Sequence, residues 1–76
     1  NYRLKLFPNP ANQFVTIDIE SNGEVEVFDL HGRRIFSHFI SDKFKLNTQD
    51  WDNGIYLVQL TAPSGKKLVE KIIIQH

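Results

Sequence analysis

Residues 13–20, with the sequence QFVTIDIE, decide the fold class of this chain. Apolar and polar side chains alternate along the stretch, and its apolar members Val15, Ile17 and Ile19 are all β-branched. Because successive side chains of a strand point to opposite faces, this period of two places those three residues on one side. The stretch therefore predicts a β-strand that rests one face on a core and leaves the other face polar.

Similar short patterns, bounded by turn signals, occupy the rest of the chain, and no segment has a helical period. The Asn-Gly pair in residues 21–24 predicts a tight hairpin, and residues 41–42 and 62–65 predict further turns. Strands that follow one another about every ten residues indicate an all-β antiparallel sandwich or barrel. The predicted strands, about seven in all, are residues 4–7, 13–20, 24–27, 33–40, 44–46, 54–61 and 66–74.

Three places depart from simple alternation. Phe28 falls on the polar side of its strand, which predicts either a β-bulge or a locally covered outer face. Residues 33–40 have apolar side chains of both parities, so we predict a central strand that is covered on both sides. Pro8 and Pro10 cannot donate hydrogen bonds to a ladder, which places their segment at an edge or in a corner.

The start of the strand at residues 54–61 predicts a specific hydrogen bond. Tyr56 follows Gly54 by two residues, at the start of a strand that a polar loop precedes. This is the arrangement of a tyrosine corner in immunoglobulin-like sandwiches. We therefore predict that the Tyr56 hydroxyl bonds a backbone group between Asn47 and Asn53. We expect Trp51, in the same connection, to plug the end of the sandwich rather than to stack on a sugar.

Composition excludes several classes of function. The 76 residues fit one small domain, residues 1–76, in which nine basic residues balance nine acidic ones. A neutral chain argues against a nucleic-acid partner and against an anionic membrane surface. The absence of cysteine excludes a disulfide scaffold, a thiolate nucleophile and an iron–sulfur site, and the short apolar runs exclude a transmembrane segment. The chain contains no Met and begins with Asn1, so we expect a piece excised from a longer protein.

No constellation of residues predicts catalysis or a cofactor. The three histidines, His31, His38 and His76, lack metal-ligand spacing. The acidic loop at residues 50–54 fails the EF-hand pattern, although another oxygen-ligand Ca²⁺ site stays open. Nucleophilic catalysis would need a serine beside a base that a third group holds, but three of the four serines lie in predicted turns and none has a GxSxG context. We therefore predict no catalytic, cofactor-binding or metal-binding residue and interpret the chain as non-enzymatic.

The basic residues near the C-terminus allow two interpretations. Lys67 and Lys71 share strand parity with Val69 and Ile73. They either guard the edge of the last strand or belong to a recognition surface. The whole basic set is Arg33, Arg34, Lys66, Lys67 and Lys71.

Four motifs, in order along nearly the whole chain, resemble a known family. They are LFPNPA at residues 6–11, VEVFDLHGR at residues 25–33, the stretch from Leu46 to the WDNGIYLV of residues 51–58, and the final strand at residues 67–74. Together they resemble the type A C-terminal sorting domain of the type IX secretion system of Gram-negative bacteria. The chain departs from that pattern in its last residues, Gln75 and His76, where Lys or Arg is common.

The resemblance implies a small immunoglobulin-like antiparallel β-sandwich that ends a larger secreted protein. It implies a non-catalytic signal, without cofactors, that the type IX translocon recognises after the upstream cargo domain has reached the periplasm. A surface sortase-like peptidase then usually removes the domain, and the cargo is anchored at the cell surface or released. The residues that the resemblance assigns to recognition are Pro8, Asn9, Pro10, Gly32, Gly54, Tyr56, Lys66, Lys67, Lys71, Ile72, Ile73 and Ile74.

The last strand also suggests a mechanism. If its unpaired edge binds a receptor by strand addition, proline at Val69 or Ile73 is expected to stop export. The alternative function is an accessory β-sandwich that binds carbohydrate or a protein partner, which would expose Trp51 or Phe28 on a binding face.

Overall fold

The computed structural model describes residues 3–76, and the regular structure of this range is all β-strand. Residues 3–76 contain no helix with the length and apolar character needed to span a membrane. The all-β prediction is confirmed, but the number of strands is five rather than seven. The strands are β1 Leu4–Phe7, β2 Phe14–Phe28, β3 Arg34–Asn47, β4 Gly54–Thr61 and β5 Lys67–Ile74.

The strands form one curled antiparallel sheet that folds into two layers. β3 lies along one edge of β2, while β1 and β4 divide the other edge between them. β1 pairs with residues 16–19 of β2, β4 pairs with residues 24–28, and β5 extends the sheet from β4. The first layer therefore contains β1, and the second layer contains β4 and β5. β2 and β3 run through both layers.

β2 and β3 pass from one layer to the other at a shared bend. Their pairing register shifts between Asp18 and Asn22 of β2. Ser21 and Asp42 have positive φ values of 78° and 64° at this shift. Both strands continue through the bend, so the turns predicted in these two places are wrong and seven predicted strands become five. The irregular backbone bends a pair of strands together instead of reversing each strand by itself.

A β-bulge lies near the end of the β2–β3 pair. The register shifts just before Phe28, and Ile35 is the extra residue of β3. The bulge does not turn Phe28 inward, because the extra residue lies in β3 and the pairing of β2 with β4 continues through Phe28 without a shift. Phe28 stays on the outer face and is half-buried there, which agrees with the alternative of a locally covered outer face. The prediction that residues 33–40 form a central strand is wrong, because among the described strands β3 pairs only with β2, and Phe39 is 62% exposed. The face of β3 that includes Ile40 is directed to the core. The opposite face, which includes Phe39, is not covered by any described residue.

The core lies between the two layers and consists of the side chains that both layers direct inward. The three residues predicted to face it from β2, Val15, Ile17 and Ile19, are at most 1% exposed. Thr48 is also fully buried, and its hydroxyl donates to the Asn12 carbonyl at 3.1 Å. Nothing in the sequence pattern marked Thr48 as a core residue, because its partner is distant along the chain.

Candidate recognition surface

The outer edge of β5 begins the candidate site, since β4 occupies the other edge. The Ala62 N–H donates to the Lys66 carbonyl at 2.8 Å, so these residues form a hydrogen-bonded pair at the β4–β5 turn. Hydrogen-bonded pairs alternate along an antiparallel ladder, so the even-numbered residues of β5 bond β4. The N–H and C=O groups of the odd-numbered residues therefore face the outer edge.

The proline motif covers the C-terminal half of this edge. The Asn9 side-chain amide donates to the Lys71 carbonyl at 3.0 Å, and its oxygen accepts the Ile73 N–H at 3.1 Å. The Ala11 N–H then donates to the Ile73 carbonyl at 2.7 Å, and the Ala11 carbonyl accepts the Gln75 N–H at 2.8 Å. Asn9 thus replaces a strand backbone with its side chain, and Ala11 continues the pairing in parallel.

This contact joins two motifs that lie at opposite ends of the chain. We call it the clasp, and it consists of residues 8–11 and residues 71–75. Pro8 and Pro10 are exposed on either side of Asn9, which confirms that the proline segment lies at a sheet edge. The strand-addition hypothesis cannot use the Ile73 position of this edge, because the Ile73 N–H already has a partner. Of the outward groups on β5, those of Lys67 and Val69 make no hydrogen bond with any other described residue.

The side chains of β5 divide between the core and the surface. Ile72 and Ile74 are each 1% exposed and belong to the core. Ile73 has the opposite parity and shares the outer face with Lys71 and with Val69, which is 52% exposed. A partner that reads the folded domain can therefore touch Ile73, whereas its two neighbours act by holding β5 in place.

β4 supplies an apolar border to this outer face. Ile55 and Leu57 pair with Ile73 and Lys71 and are 38% and 39% exposed. Lys67 is exposed further along β5, and Lys66 is exposed in the adjoining turn. Within residues 3–76 none of the lysines of this region forms an ion pair. Unpaired lysines beside exposed apolar groups on a strand edge are compatible with both interpretations, edge protection and recognition.

Tyr56 forms the predicted tyrosine corner. Its hydroxyl donates to the Asp52 carbonyl at 2.7 Å, within the predicted range of backbone groups. Burial raises the pKa of Tyr56, and the nearby carboxylates of Asp52 and Asp29 raise it further, so the phenol keeps its proton and donates. Trp51 packs against the core with its ring centroid 5.1 Å from that of Tyr56, which agrees with a plug. Gly54 begins this strand with a φ of 153°, a backbone conformation that favours glycine.

Asp29 organises the turn that contains Gly32. Its carboxylate accepts the backbone N–H groups of His31 and Arg33 at 2.8 and 3.0 Å, and the Arg33 guanidinium at 2.8 Å. The Gly32 N–H donates to the Asp29 carbonyl at 3.0 Å, and Gly32 has a φ of 79°. Gly32 therefore serves the turn through its backbone conformation.

The Asp29 turn predicts an acid-dependent loss of stability. Burial acts to raise the pKa of Asp29, but hydrogen bonds from Arg33 and His31 and the Arg33 charge outweigh it, so the pKa lies below 3.8. A lowered pKa means that the ionised carboxylate stabilises the folded state above the unfolded pKa and loses this effect as pH falls through the folded pKa. In urea unfolding, Asp29→Asn is expected to be less stable than wild type at pH 7, with the difference closing below about pH 4.

Asp50→Asn is the control for this prediction, because it removes an exposed carboxylate of the same charge from outside the turn. We expect it to match wild type at pH 7. A difference between Asp29→Asn and wild type that persists at pH 2 would contradict the assignment of the effect to the ionised Asp29 carboxylate.

His76 is held by hydrogen bonds of both its backbone and its side chain. Its backbone N–H donates to the Asn53 side-chain oxygen at 2.9 Å. One ring nitrogen lies 2.7 Å from the Asn12 side-chain oxygen, and the other lies 2.7 Å from the Trp51 carbonyl. His76 therefore connects Asn12, which follows the proline segment, with the loop before β4. This role depends on residues distant in the chain and is seen only in the folded structure.

The loops beside Trp51 enclose an open groove of about 420 Å³ between residues 29–35 and 50–56. Trp51 borders the groove but packs on Tyr56 and the core, so it does not present a free ring as a platform for a sugar. In the described range, residues 3–76, no group of three or more His, Cys, Asp or Glu side chains is placed to hold a metal ion.

Comparison with known proteins connects this chain with a family of secretion domains. The family model of the secretion system C-terminal sorting domain matches residues 5–75. The chain is 34% identical over 76 residues to an endo-acting ulvan lyase of Formosa agariphila, covering 95% of the chain and 15% of that protein. It is 26% identical over 72 residues to beta-agarase D of Zobellia galactanivorans, covering 95% of the chain and 15% of that protein. The chain thus spans a small part of each relative, and by the extent of the family match it belongs to the family of secretion system C-terminal sorting domains.

Proposed function

We propose that this domain, residues 1–76, directs a cargo protein joined to its N-terminal side through the type IX translocon of the outer membrane. The clasp is the observation that carries this proposal. It fixes the proline motif against the last strand, so that residues far apart in the chain form one surface. A receptor that binds this surface would accept the domain only in its folded form.

The outer face beside the clasp supplies the chemistry for binding. Lys67 and Lys71 are exposed, and the apolar side chains around them include Val69 and Ile55. Such a surface suits a partner with apolar side chains flanked by carboxylates. Gly32, Gly54, Tyr56, Ile72 and Ile74 support the signal indirectly, because they build the turns and core on which the surface rests.

The domain acts in our proposal during transit rather than as an enzyme. The cargo enters the periplasm, the folded domain is recognised by the translocon, and a surface sortase-like peptidase removes it. The cargo then remains at the cell surface or is released. The chemistry of the complete protein belongs to the cargo.

An export assay tests the proposal. The chain is fused behind a signal peptide and a fluorescent reporter, and the fusion is expressed in a type IX-competent bacterium and in a strain that lacks the translocon. We expect reporter at the surface or in the medium of the competent strain alone. Reporter that stays in the periplasm of both strains, from a fusion whose domain is folded, would overturn the proposal.

The clasp gives a sharper prediction within the same assay. Asn9→Ala removes both side-chain hydrogen bonds to β5 and is expected to destabilise the domain by about 1 kcal/mol, because exposed hydrogen bonds contribute little. We expect a much larger effect on export, since residues 8–10 lose their hydrogen bonds to β5 and only the backbone pairing of Ala11 remains. The reporter fraction outside the cell is the measurement.

Asn47→Ala is the matched control for Asn9→Ala. Among residues 3–76, the one hydrogen bond of the Asn47 side chain is accepted from the local Gln49 N–H at 2.8 Å, well away from the clasp. This variant is expected to export like wild type. Equal export of the Asn9→Ala and Asn47→Ala fusions would show that the clasp is not part of the signal.

A further inference from the structure

The outer edge of β3 differs from the other strand edges of the domain. The even-numbered residues of β4 form backbone hydrogen bonds with β5, so its odd-numbered residues form them with β2, where they pair with even-numbered residues. The odd-numbered residues of β2 therefore bond β3, as the Asp29 N–H does in donating to the Arg33 carbonyl at 3.0 Å. By the register of this pair, Ser37, Phe39 and Ser41 direct their N–H and C=O groups away from the sheet. No described strand pairs with them.

This edge also lacks the usual protection against strand pairing. Residues 36–41, FSHFIS, contain no Lys, Arg, Asp, Glu or Pro. The edge of β5, by comparison, has Lys67 and Lys71 and is half covered by Asn9 and Ala11. Proteins commonly protect an edge strand from further pairing with charged residues, proline or a covering segment. An uncharged edge strand of high β-propensity that lacks this protection can pair with a further strand.

Apolar side chains lie on both faces of the same edge. Phe39 is 62% exposed on the outer face. On the inner face Phe36 and His38 contact Phe44, with ring centroids 5.8 and 5.2 Å from that of Phe44. One added strand would cover Phe39 on one face and the border of this aromatic cluster on the other.

We propose that residues 36–41 of β3 are a strand-addition site for an extended, uncharged segment of a partner protein. A second copy of the chain fits less well, because the bulge at Ile35 and the bend at Asp42 limit symmetric pairing to the residues between them. Six residues of each strand are few beside the roughly 20–30 residues a side of a standard stable interface. A flexible segment pairs with the same backbone groups and follows both faces without aligning two bent strands. The inference concerns a different edge from the clasp and does not depend on the secretion role.

The test uses a defined probe and site-resolved hydrogen exchange. The probe is a blocked heptapeptide of alternating Thr and Val, and its control is the same peptide with alternate backbone nitrogens methylated. We expect the first peptide at millimolar concentration to slow exchange of the Ser37 and Phe39 amides by roughly tenfold, leaving Val69 unchanged. The methylated peptide is expected to have no effect, because it cannot complete a ladder.

Two variants separate the edge from the fold. Ser37→Pro removes one outward donor, and Phe39→Lys places a charge on the edge. Both leave the backbone hydrogen bonds between β2 and β3 intact, and Ser37→Pro loses only the exposed bond from the Ser37 hydroxyl to the Glu24 carboxylate at 3.3 Å. Their melting temperatures are therefore expected to stay near that of wild type. Both should abolish the protection, whereas Val69→Pro, the matched change on β5, should retain it.

Three results would overturn the inference. The first is unchanged exchange at Ser37 and Phe39 in the wild-type domain with the peptide present. The second is equal protection at Val69, which would make the binding unspecific for an edge. The third is protection that rises with protein concentration in the absence of peptide, which would assign the edge to a second copy of the chain.

Discussion

Glu70→Pro is expected to lower the melting temperature of the domain by about 12–24 °C, whereas Val69→Pro, one residue earlier, leaves it nearly unchanged. Glu70 is paired with Val58 and has even parity, so its N–H belongs to the ladder with β4. Proline removes that donor and leaves the Val58 carbonyl unpaired, at a cost of about 3 kcal/mol. The Val69 N–H faces the outer edge, where proline is tolerated. Thermal unfolding followed by circular dichroism measures the difference.

The same pair of variants examines strand addition to β5. Because Val69→Pro is expected to fold, its export reports on the outer edge alone, while Glu70→Pro reports on the fold. In contrast to the strand-addition expectation, we expect Val69→Pro to be exported, since the clasp and the outer-face side chains other than Val69 remain. Loss of export from a folded Val69→Pro domain would instead support addition of a receptor strand to β5. Equal melting temperatures for the two variants would contradict the assigned ladder parity.

Local patterns in the sequence were sufficient for much of the fold. The alternation around Val15, Ile17 and Ile19 identifies a strand and its buried face, and both are confirmed. The order of Gly54 and Tyr56 predicts the hydrogen bond to Asp52 that the structure contains. In each case the partner groups are near in the chain or follow from a fixed period, so a single stretch holds the necessary information.

The errors arose where the partner is distant. The positive φ values of Ser21 and Asp42 occur together because two paired strands bend at one place, and neither stretch alone distinguishes a bend from a hairpin. The edge position of β3 depends on which strands occupy the two sides of β2. Because β3 has apolar residues on both faces, the sequence predicted that neighbouring elements would bury Phe39. None of the described residues does so.

The candidate site shows the same limit. The motifs named Asn9 and Ile73 separately, but their hydrogen bond spans 64 positions and follows from no local spacing. Residues 72–74 are three identical isoleucines, yet strand alternation places Ile72 and Ile74 in the core and leaves Ile73 half-buried on the outer face. A motif residue therefore contributes either by contact with a partner or by building the surface, and burial separates the two roles.

Tyr56 is the motif residue in which these two roles can be separated most clearly. Tyr56→Ala is expected to destabilise the domain by about 3–5 kcal/mol, because it empties the space beside Trp51 and deletes the corner hydrogen bond. Tyr56→Phe keeps the ring and loses only the bond to the Asp52 carbonyl, at about 1 kcal/mol. Urea unfolding of the two variants measures both values.

Export of the same variants then assigns the role of Tyr56. The side chain is 8% exposed and its hydroxyl is directed to Asp52, so we expect Tyr56→Phe to be exported like wild type and Tyr56→Ala to fail. Leu60→Ala is the control, because Leu60 is fully buried, lies outside the recognition set, and costs about 2–5 kcal/mol when truncated. If Tyr56 acts through the fold, export falls with stability along one relation for all three variants. Loss of export from a stable Tyr56→Phe domain would instead show that the translocon contacts the phenol directly.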